Sequence, residues 1–143
     1  MKQKVRILLK RLPIGLISLS PKFSNSVPKL DINTPIGKLV DQKMIDQHNK
    51  FRLNKDAMRM MMEYHGDYHY KPVWDGTEAG LAEIESFRVE MDIPKWKTWL
   101  MPAGDTRETL VEMYPISIEK CMEVGYNWTG RDHIIAYDTK RGV

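Results

Sequence analysis

Short apolar runs alternate with amphipathic stretches along the chain, and this pattern predicts a succession of strands and helices. Strands are predicted at residues 15–20, 68–74, 97–101 and 132–137, each rich in apolar, aromatic or β-branched residues. Helices are predicted between them, where apolar residues recur every three or four positions. Strands that alternate with helices indicate βαβ units, so the pattern predicts an α/β fold of about four mainly parallel strands.

Capping residues and periodicity place the two longest predicted helices. One begins after Asp75 or Thr77 and has an apolar stripe made of Leu81, Ile84, Phe87 and Met91. The other begins after Asp105 or Thr106 and ends at Gly125. Its predicted apolar face is Leu110, Tyr114, Ile118 and Cys121, and Pro115 inside it predicts a kink or two abutting helices.

Length and composition are those of one globular domain. The chain has 143 residues, of which 42% are hydrophobic and 29% charged. We divide it into a basic extension of residues 1–14 and a body of residues 15–143. No apolar run approaches the roughly 20 residues that span a bilayer, so no membrane partner is expected. The single cysteine, Cys121, forms no intrachain disulfide, which favours a cytoplasmic location.

The positive charge is concentrated at the start of the chain. The formal net charge is +3, yet the first acidic residue is Asp31, and seven Lys and Arg residues precede it. Such a start fits a targeting segment, a nucleic-acid arm, or a feature without function. A nucleic-acid partner is not expected, because the excess is small and Phe23 is the one aromatic residue in the stretch.

Candidate ligand contacts follow the first predicted strand. Alternation places Ser18 and Ser20 on one strand face, and Lys22 lies just beyond the strand. Ligands of parallel α/β folds bind at the carboxyl ends of strands, so these three residues are well placed to meet a polar ligand. The alternative is that the hydroxyls bond to loop backbone and Lys22 is solvated, which is the commoner arrangement of such side chains.

Further candidates flank the last predicted strand. His133 can hold a ligand or transfer a proton near neutral pH, and Arg131 lies beside it, although a half-buried histidine bonded to a neighbour is the commoner arrangement. His65 and His69 have a metal-ligand spacing, but Gly66 separates them, so no metal site is predicted. A set of acidic residues is interpreted as a solvated helix face: Asp75, Glu78, Glu83, Glu85 and Glu90.

Five segments, taken in order, resemble the 7-carboxy-7-deazaguanine synthases of the radical S-adenosylmethionine superfamily. They are ISLSPK with SNSVP (17–22 and 24–28), KPVWD (71–75), WLMPAGDTRE (99–108), CMEVGYNWTGRDHI (121–134) and the terminal RGV (141–143). The segments resemble that family's SPK segment, its K-x-V-x-D strand, its LMP-x-G turn, its C-x-x-x-G-Y…R-x-H-I block and its carboxyl terminus. The resemblance runs from about Gly15 to the last residue and covers the carboxy-terminal half of such an enzyme.

The resemblance implies half of a partial, TIM-like β/α barrel. Family members, some of them from phages, use S-adenosylmethionine, a [4Fe–4S] cluster and Mg²⁺. They contract 6-carboxy-5,6,7,8-tetrahydropterin to 7-carboxy-7-deazaguanine, a step towards queuosine and other deazapurines. By resemblance, Ser18, Ser20 and Lys22 contact S-adenosylmethionine. Arg131, His133 and the terminal carboxylate of Val143 then face the pterin.

The sequence departs from the family in one large respect. The C-x3-C-x2-C cluster loop and the Thr that helps bind Mg²⁺ have no counterpart here, and one cysteine cannot hold a cluster. The chain alone is therefore expected to perform no radical chemistry. It is then expected to be either a remnant of an interrupted gene or one piece of a split enzyme. The expected partner is an amino-terminal, cluster-bearing half or, because a half barrel leaves open strand edges, a second copy. Two alternatives stay open: a module that binds a pterin, a deazapurine or an S-adenosyl compound, and a basic nucleic-acid accessory.

Overall fold

The computed structural model describes residues 15–33 and 37–140; the basic extension of residues 1–14 and the terminal Val143 lie outside them. The strands in this part of the chain are β1 (Ile17–Leu19), β2 (Tyr68–Tyr70), β3 (Val73–Trp74), β4 (Trp99–Pro102) and β5 (Asn127–Trp128). The helices are α1 (Gln42–Phe51), α2 (Lys55–His65), α3 (Glu78–Glu90), α4 (Arg107–Val124) and α5 (Asp132–Tyr137).

The strands form two short parallel sheets. β1 pairs with β2, where Ile17 lies opposite Tyr68, and β3, β4 and β5 pair in that order. A parallel bridge between Tyr70 and Thr98 joins the two sheets. The order of strands across the structure therefore follows their order along the chain. This arrangement confirms a mixed α/β fold built on parallel strands.

The strand predicted at residues 68–74 is interrupted at Pro72. Proline has no N–H to donate to a neighbouring strand, so the ladder breaks there. The Lys71 N–H donates to the Leu19 carbonyl at 2.7 Å, whereas the Pro72 carbonyl accepts from the Met101 N–H at 3.0 Å. The backbone therefore pairs with β1 up to Lys71 and with β4 from Pro72 onward. The predicted strand is thus replaced by two short strands, β2 and β3.

Side-chain caps define where the helices begin. The Asn54 side chain accepts a hydrogen bond from the Ala57 N–H at 3.1 Å, and Thr77 accepts from the Gly80 N–H at 3.0 Å. Thr106 caps α4 in the same way. These bonds satisfy backbone donors that have no partner within the helix. Thr77 and Thr106, rather than the aspartates beside them, are therefore the caps.

The core lies between one face of the strands and the helices. Tyr70, Trp74 and Leu100 are at most 1% exposed, and they pack with Ile84 and Phe87 of α3. The Tyr70 hydroxyl donates to the Ile84 carbonyl at 3.1 Å, which satisfies the polar end of a buried ring. The predicted stripe of α3 is confirmed, because Ile84, Phe87 and Met91 are buried and Leu81 packs against the core.

The opposite side of the strands, which we call the open face, is only partly covered. It comprises Leu16, Ser18 and Ser20 around β1, His69 and Lys71 in the middle, and Trp99 and Met101 of β4. Leu16, Ser18 and Ser20 are exposed, and the other four residues are half-buried. The His69 and Trp99 rings lie 4.9 Å apart between centroids. Parallel sheets are usually covered on both faces, so this surface is unusual.

Two sequence predictions about the last third of the chain are wrong. Residues 132–137, predicted as a strand, form α5, and the last strand is β5. A short apolar run does not distinguish strand from helix by its period. In α4, Ile118 is 39% exposed, and Ser117 is buried in its place. That helix runs unbroken through Pro115, so two abutting helices do not form.

Candidate functional site

A cavity of about 280 Å³ lies where the strands end at their carboxyl edge. Lys22 follows β1, Asp75 follows β3, Ala103 follows β4, and Arg131 follows β5. The remaining lining residues are Pro21, Phe23, Asn25, Ser26 and Val73. Because parallel strands present their carboxyl ends at the same edge, residues far apart in sequence converge on one cavity. We call it the carboxyl-edge cavity.

The loop after β1 is held over this cavity by its own contacts. Phe23 is buried, and its ring packs edge-on against Phe87 with centroids 5.5 Å apart. Glu83 of α3 accepts bonds from the Ser24 N–H and hydroxyl, and Arg52 donates to the Lys22 carbonyl at 3.1 Å. These contacts fix the backbone of Lys22 while its side chain stays exposed. The ammonium group is therefore available to a ligand.

Asp75 supplies the negative charge of the cavity. One of its carboxylate oxygens accepts from the Thr77 N–H at 3.0 Å and from the Thr77 hydroxyl at 2.7 Å. Thr77 is also the cap of α3, so helix capping and the orientation of Asp75 depend on the same residue. Asp75 is exposed and can accept further bonds through its second oxygen.

Arg131 supplies a half-buried cation on the other side. Its backbone N–H donates to the Tyr114 hydroxyl at 2.7 Å, and one guanidinium nitrogen donates to the Gly104 carbonyl at 2.6 Å. The Tyr114 ring packs edge-on against Trp128 at 4.9 Å, which steadies the hydroxyl. The other guanidinium donors have no partner among the described residues. Arginine presents five donors in a planar fork, so the free ones suit a carboxylate.

The structure brings together two of the residues predicted from the sequence, Lys22 and Arg131. Ser18 and Ser20 share a face, as alternation predicts, but both are exposed on the open face and neither lines the cavity. His133 was predicted in a strand; it lies instead in α5, is exposed, and does not line the cavity.

Asp75 and Asn25 are site residues that the sequence interpretation missed. Asp75 was assigned to a solvated helix face, yet it precedes α3 and directly follows β3. A carboxylate that comes immediately after a predicted parallel strand was the available signal. Asn25 donates to the Val73 carbonyl at 3.0 Å, a long-range contact that no local pattern indicates. The prediction of a solvated helix face is also wrong for Glu83 and Glu85. Glu83 accepts a hydrogen bond from the Ser24 hydroxyl, and Glu85 accepts one from the Tyr126 hydroxyl.

The most perturbed ionisable groups lie away from the cavity. Burial raises the pKa of the Cys121 thiol to about 11, and its sulfur contacts the Asn127 carbonyl at 3.4 Å. Burial, with Glu85 nearby, raises the pKa of Tyr70. A neutral, buried thiol is a poor nucleophile and metal ligand. Among the described residues, no three His, Cys, Asp or Glu side chains are grouped to hold a metal ion.

A second cavity, of about 340 Å³, lies on the helix side between α3 and α4. Its charged groups are occupied by protein contacts: the Tyr126 hydroxyl and Arg88 donate to Glu85, and Lys95 donates to the Val124 carbonyl at 2.9 Å. This cavity therefore offers fewer free polar groups than the carboxyl-edge cavity. The latter is the better candidate for a polar ligand.

Comparison with family models, curated proteins and solved structures found no significant match to this chain. Within the described part of the chain, no helix is both long and apolar enough to cross a membrane.

Proposed function

We propose that this chain is the ligand-holding, carboxy-terminal part of a 7-carboxy-7-deazaguanine synthase, folded as half of a TIM-like β/α barrel. The observation that carries the proposal is the carboxyl-edge cavity, where Lys22 and Arg131 converge from opposite ends of the strand order. Both residues come from segments that carry the resemblance to that family. Sequential parallel strands with a site at their carboxyl ends are also typical of β/α barrels.

The charges of the cavity suit a ligand that carries both signs. Lys22 and Arg131 can each bind a carboxylate through charge-assisted hydrogen bonds, and Asp75 can accept from an ammonium or amidine group. S-adenosylmethionine has an amino-acid end with both charges, and a carboxylated pterin has a carboxylate beside ring N–H groups. In this proposal Lys22 binds S-adenosylmethionine and Arg131 binds the pterin. Ser18 and Ser20 contact a ligand that extends onto the open face. His133 lies outside the cavity, so it contacts the pterin only if the pterin extends past Arg131, and the role that the resemblance implies for Val143 stays a prediction.

The residues of this chain do not fit the cluster of the complete enzyme. A [4Fe–4S] cluster takes about three or four cysteine thiolates, and the one cysteine here is buried with a raised pKa. In the complete family enzyme the cluster supplies the electron that cleaves S-adenosylmethionine, and Mg²⁺ assists the substrate. This chain therefore binds and orients ligands, and we assign it no radical step.

The outer edges of β1 and β5, unpaired among the described residues, together with the open face, support the proposal that an amino-terminal half binds this chain. The Ile17 N–H donates to Asp67 and the Leu19 carbonyl accepts from Lys71, so the backbone groups of Ser18 between them point to the outer edge of β1. The Asn127 N–H donates to Thr98 and the Thr129 N–H to Leu100. The backbone of Trp128 therefore points outward from β5. Edges of this kind pair readily with other strands.

Calorimetry on the full chain tests the ligand-binding claim. The titrants are S-adenosylmethionine, S-adenosylhomocysteine and 6-carboxy-5,6,7,8-tetrahydropterin. We expect binding of at least one of them, weakened about tenfold or more by Lys22→Ala or Arg131→Ala, since each removes a charge-assisted bond. Lys43→Ala, an exposed lysine of α1 that does not line the cavity, is the control. Absence of heat with all three compounds would reject the proposal.

Reconstitution tests the split-enzyme claim separately. The chain is co-expressed with an amino-terminal fragment that contains C-x3-C-x2-C, under anaerobic conditions. A complex that forms 7-carboxy-7-deazaguanine is expected, and Arg131→Ala should lower its turnover while leaving the complex intact. If the chain binds a ligand but forms neither a complex nor product, the split-enzyme hypothesis is rejected and the binding-module hypothesis is supported.

A further inference from the structure

Arg131, the half-buried cation of the carboxyl-edge cavity, is held by contacts at both its backbone and its side chain. Its N–H donates to the Tyr114 hydroxyl at 2.7 Å, and its guanidinium donates to the Gly104 carbonyl at 2.6 Å. Arg131 also immediately precedes α5, a helix of six residues whose start is capped by no described side chain. The position of Arg131 therefore depends on these two contacts from outside α5.

The Tyr114 side chain is fixed by contacts that join α4 to β5. Its ring packs edge-on against Trp128, with centroids 4.9 Å apart and ring planes at 83°. The Trp128 indole N–H donates to the Ser117 hydroxyl at 2.8 Å, and that hydroxyl donates to the Tyr114 carbonyl at 3.0 Å. Ser117 is fully buried. Because these contacts fix both the ring and the backbone of Tyr114, its hydroxyl is a preorganised acceptor for the Arg131 N–H.

The backbone before Arg131 passes close to the Tyr114 hydroxyl. A Cβ atom at Gly130 would lie 2.8 Å from that hydroxyl oxygen and 3.1 Å from the Trp128 ring. Glycine therefore lets the backbone approach closely enough for the Arg131 N–H to reach Tyr114. A Cβ atom at Gly104, whose carbonyl accepts from the guanidinium, would likewise lie 2.7 Å from a leucine side chain of α4. Both contacts of Arg131 thus depend on a close approach that glycine permits.

We propose that Tyr114 is a positioning residue, which fixes Arg131 so that the remaining guanidinium donors bind a ligand carboxylate in the carboxyl-edge cavity in one orientation. Arginine binds a carboxylate most strongly through two parallel N–H donors, so its planar group must be held at a defined angle. Small displacements of such a group weaken binding and turnover strongly. Tyr114 is not among the described residues that line the cavity, so it acts through Arg131. The inference rests on the proposed function, because it concerns how Arg131 meets the ligand.

Arg107 provides an internal comparison, because it anchors the other end of α5. Its guanidinium donates to the carbonyls of Ile135 and Ala136 at 2.7 and 2.9 Å. If Tyr114 served only to hold α5 in place, its removal would release Arg107 as well as Arg131. If Tyr114 fixes Arg131 itself, Arg107 keeps its contacts. The two arginines therefore distinguish a positioning role from a purely structural one.

Labelling of the full chain with phenylglyoxal tests the position of Arg131 without any ligand. The reagent condenses with accessible guanidinium groups, and mass spectrometry of the peptides gives a rate for each arginine. In Tyr114→Phe we expect Arg131 to be labelled about fivefold faster, because the bond that fixes its backbone is lost, and Arg107 at an unchanged rate. Tyr137→Phe, an exposed tyrosine of α5, should change neither rate. An unchanged rate at Arg131, or an equal rise at both arginines in a folded variant, would overturn the proposal. If circular dichroism shows that Tyr114→Phe does not fold, Gly130→Ala replaces it with the same expectation, because its methyl group displaces the Tyr114 hydroxyl.

A double-mutant cycle tests whether Tyr114 acts through Arg131. Calorimetry measures the binding of 6-carboxy-5,6,7,8-tetrahydropterin to the full chain. Tyr114→Phe should weaken this binding about fivefold in the wild-type background and less than about twofold in the Arg131→Ala background. Binding of S-adenosylmethionine, which the proposed function assigns to Lys22, should change less than about twofold. Equal weakening of pterin binding in both backgrounds would overturn the proposal. If the wild-type chain binds neither compound, the proposed function is rejected, and the labelling rates alone decide whether Tyr114 positions Arg131.

Discussion

The two faces of the strands differ sharply although the same short segments make both. On the helix-covered face, Tyr70, Trp74 and Leu100 are essentially inaccessible to solvent, whereas on the open face Leu16 is 48% exposed. Neighbouring residues in one strand therefore serve different purposes. The covered face holds the fold together, whereas the side chains of the open face remain partly accessible to solvent. Substitutions at adjacent positions should therefore differ widely in their effect on stability.

The largest expected effect is on the covered face. Leu100→Ala removes a fully buried side chain, and we expect the free energy of unfolding to fall by about 2 to 4 kcal/mol. Met101→Ala, the next residue on the half-buried open face, is the matched control and should cost less than about 1.5 kcal/mol. Urea unfolding followed by circular dichroism measures both. Equal losses at the two positions would contradict the distinction between the faces.

A smaller effect is expected at the buried tyrosine of the same face. Tyr70→Phe leaves the ring but removes the hydroxyl, so the Ile84 carbonyl loses its donor. We expect a loss of about 1 kcal/mol. Tyr137→Phe, at a 51% exposed position, should change stability by less than about 0.5 kcal/mol. Urea unfolding measures both variants. If the two lose the same free energy of unfolding, the buried hydrogen bond makes no net contribution to stability.

A pH-dependent effect is expected at Glu85, on the helix side. Its bidentate bond with Arg88 lowers the pKa of the Glu85 carboxyl, so the folded state favours the ionised form. The resulting stability is present above the ordinary glutamate pKa and is lost as the pH falls through the lowered value. Because Glu85 is 39% exposed, solvent screening limits the gain to less than about 1 kcal/mol. The stability difference between wild type and Glu85→Gln should be largest near pH 7 and shrink towards pH 3; a constant difference would exclude the linkage.

The smallest effect is expected on the open face at β1. Leu16→Ser should change the free energy of unfolding by less than about 0.5 kcal/mol, since the side chain is already half in water. If a second half or another copy covers this face, the same change should weaken that association instead. Sedimentation at several concentrations measures association, and a loss of stability above about 2 kcal/mol in the isolated chain would show that the face is not open.

Much of the architecture could be predicted because its signals are local. The stripe of Ile84, Phe87 and Met91 has the period of a helix, and threonine caps precede α3 and α4. Lys22 can be proposed for a ligand site because it follows a predicted strand, and ligands of parallel α/β folds bind at the carboxyl ends of strands. Arg131 precedes the last predicted strand, so the resemblance alone assigns it to a ligand. Each of the other inferences depends on residues within a few positions of one another, or on a general property of the fold.

The failures have non-local causes. Residues 132–137 contain two adjacent isoleucines within six residues, which is too short a run to distinguish a helix from a strand. The contact of Asn25 with the Val73 carbonyl joins positions 48 residues apart, and no pattern in either segment encodes it. The burial of Ser117 depends on Trp128, whose indole N–H donates to the serine hydroxyl at 2.8 Å. Tertiary packing decides all three.

The sequential strand order also has a consequence for how the chain folds. Ile17 and Tyr68, which pair in β1 and β2, are separated by about 50 residues, whereas the pairs that join β3, β4 and β5 are separated by fewer than about 30. Closing the shorter loops costs roughly 0.5 kcal/mol less entropy for each contact. The β3–β5 region should therefore assemble first and provide the edge onto which β1 and β2 are added. Pulsed hydrogen exchange would then find protection of Leu100 before that of Leu19.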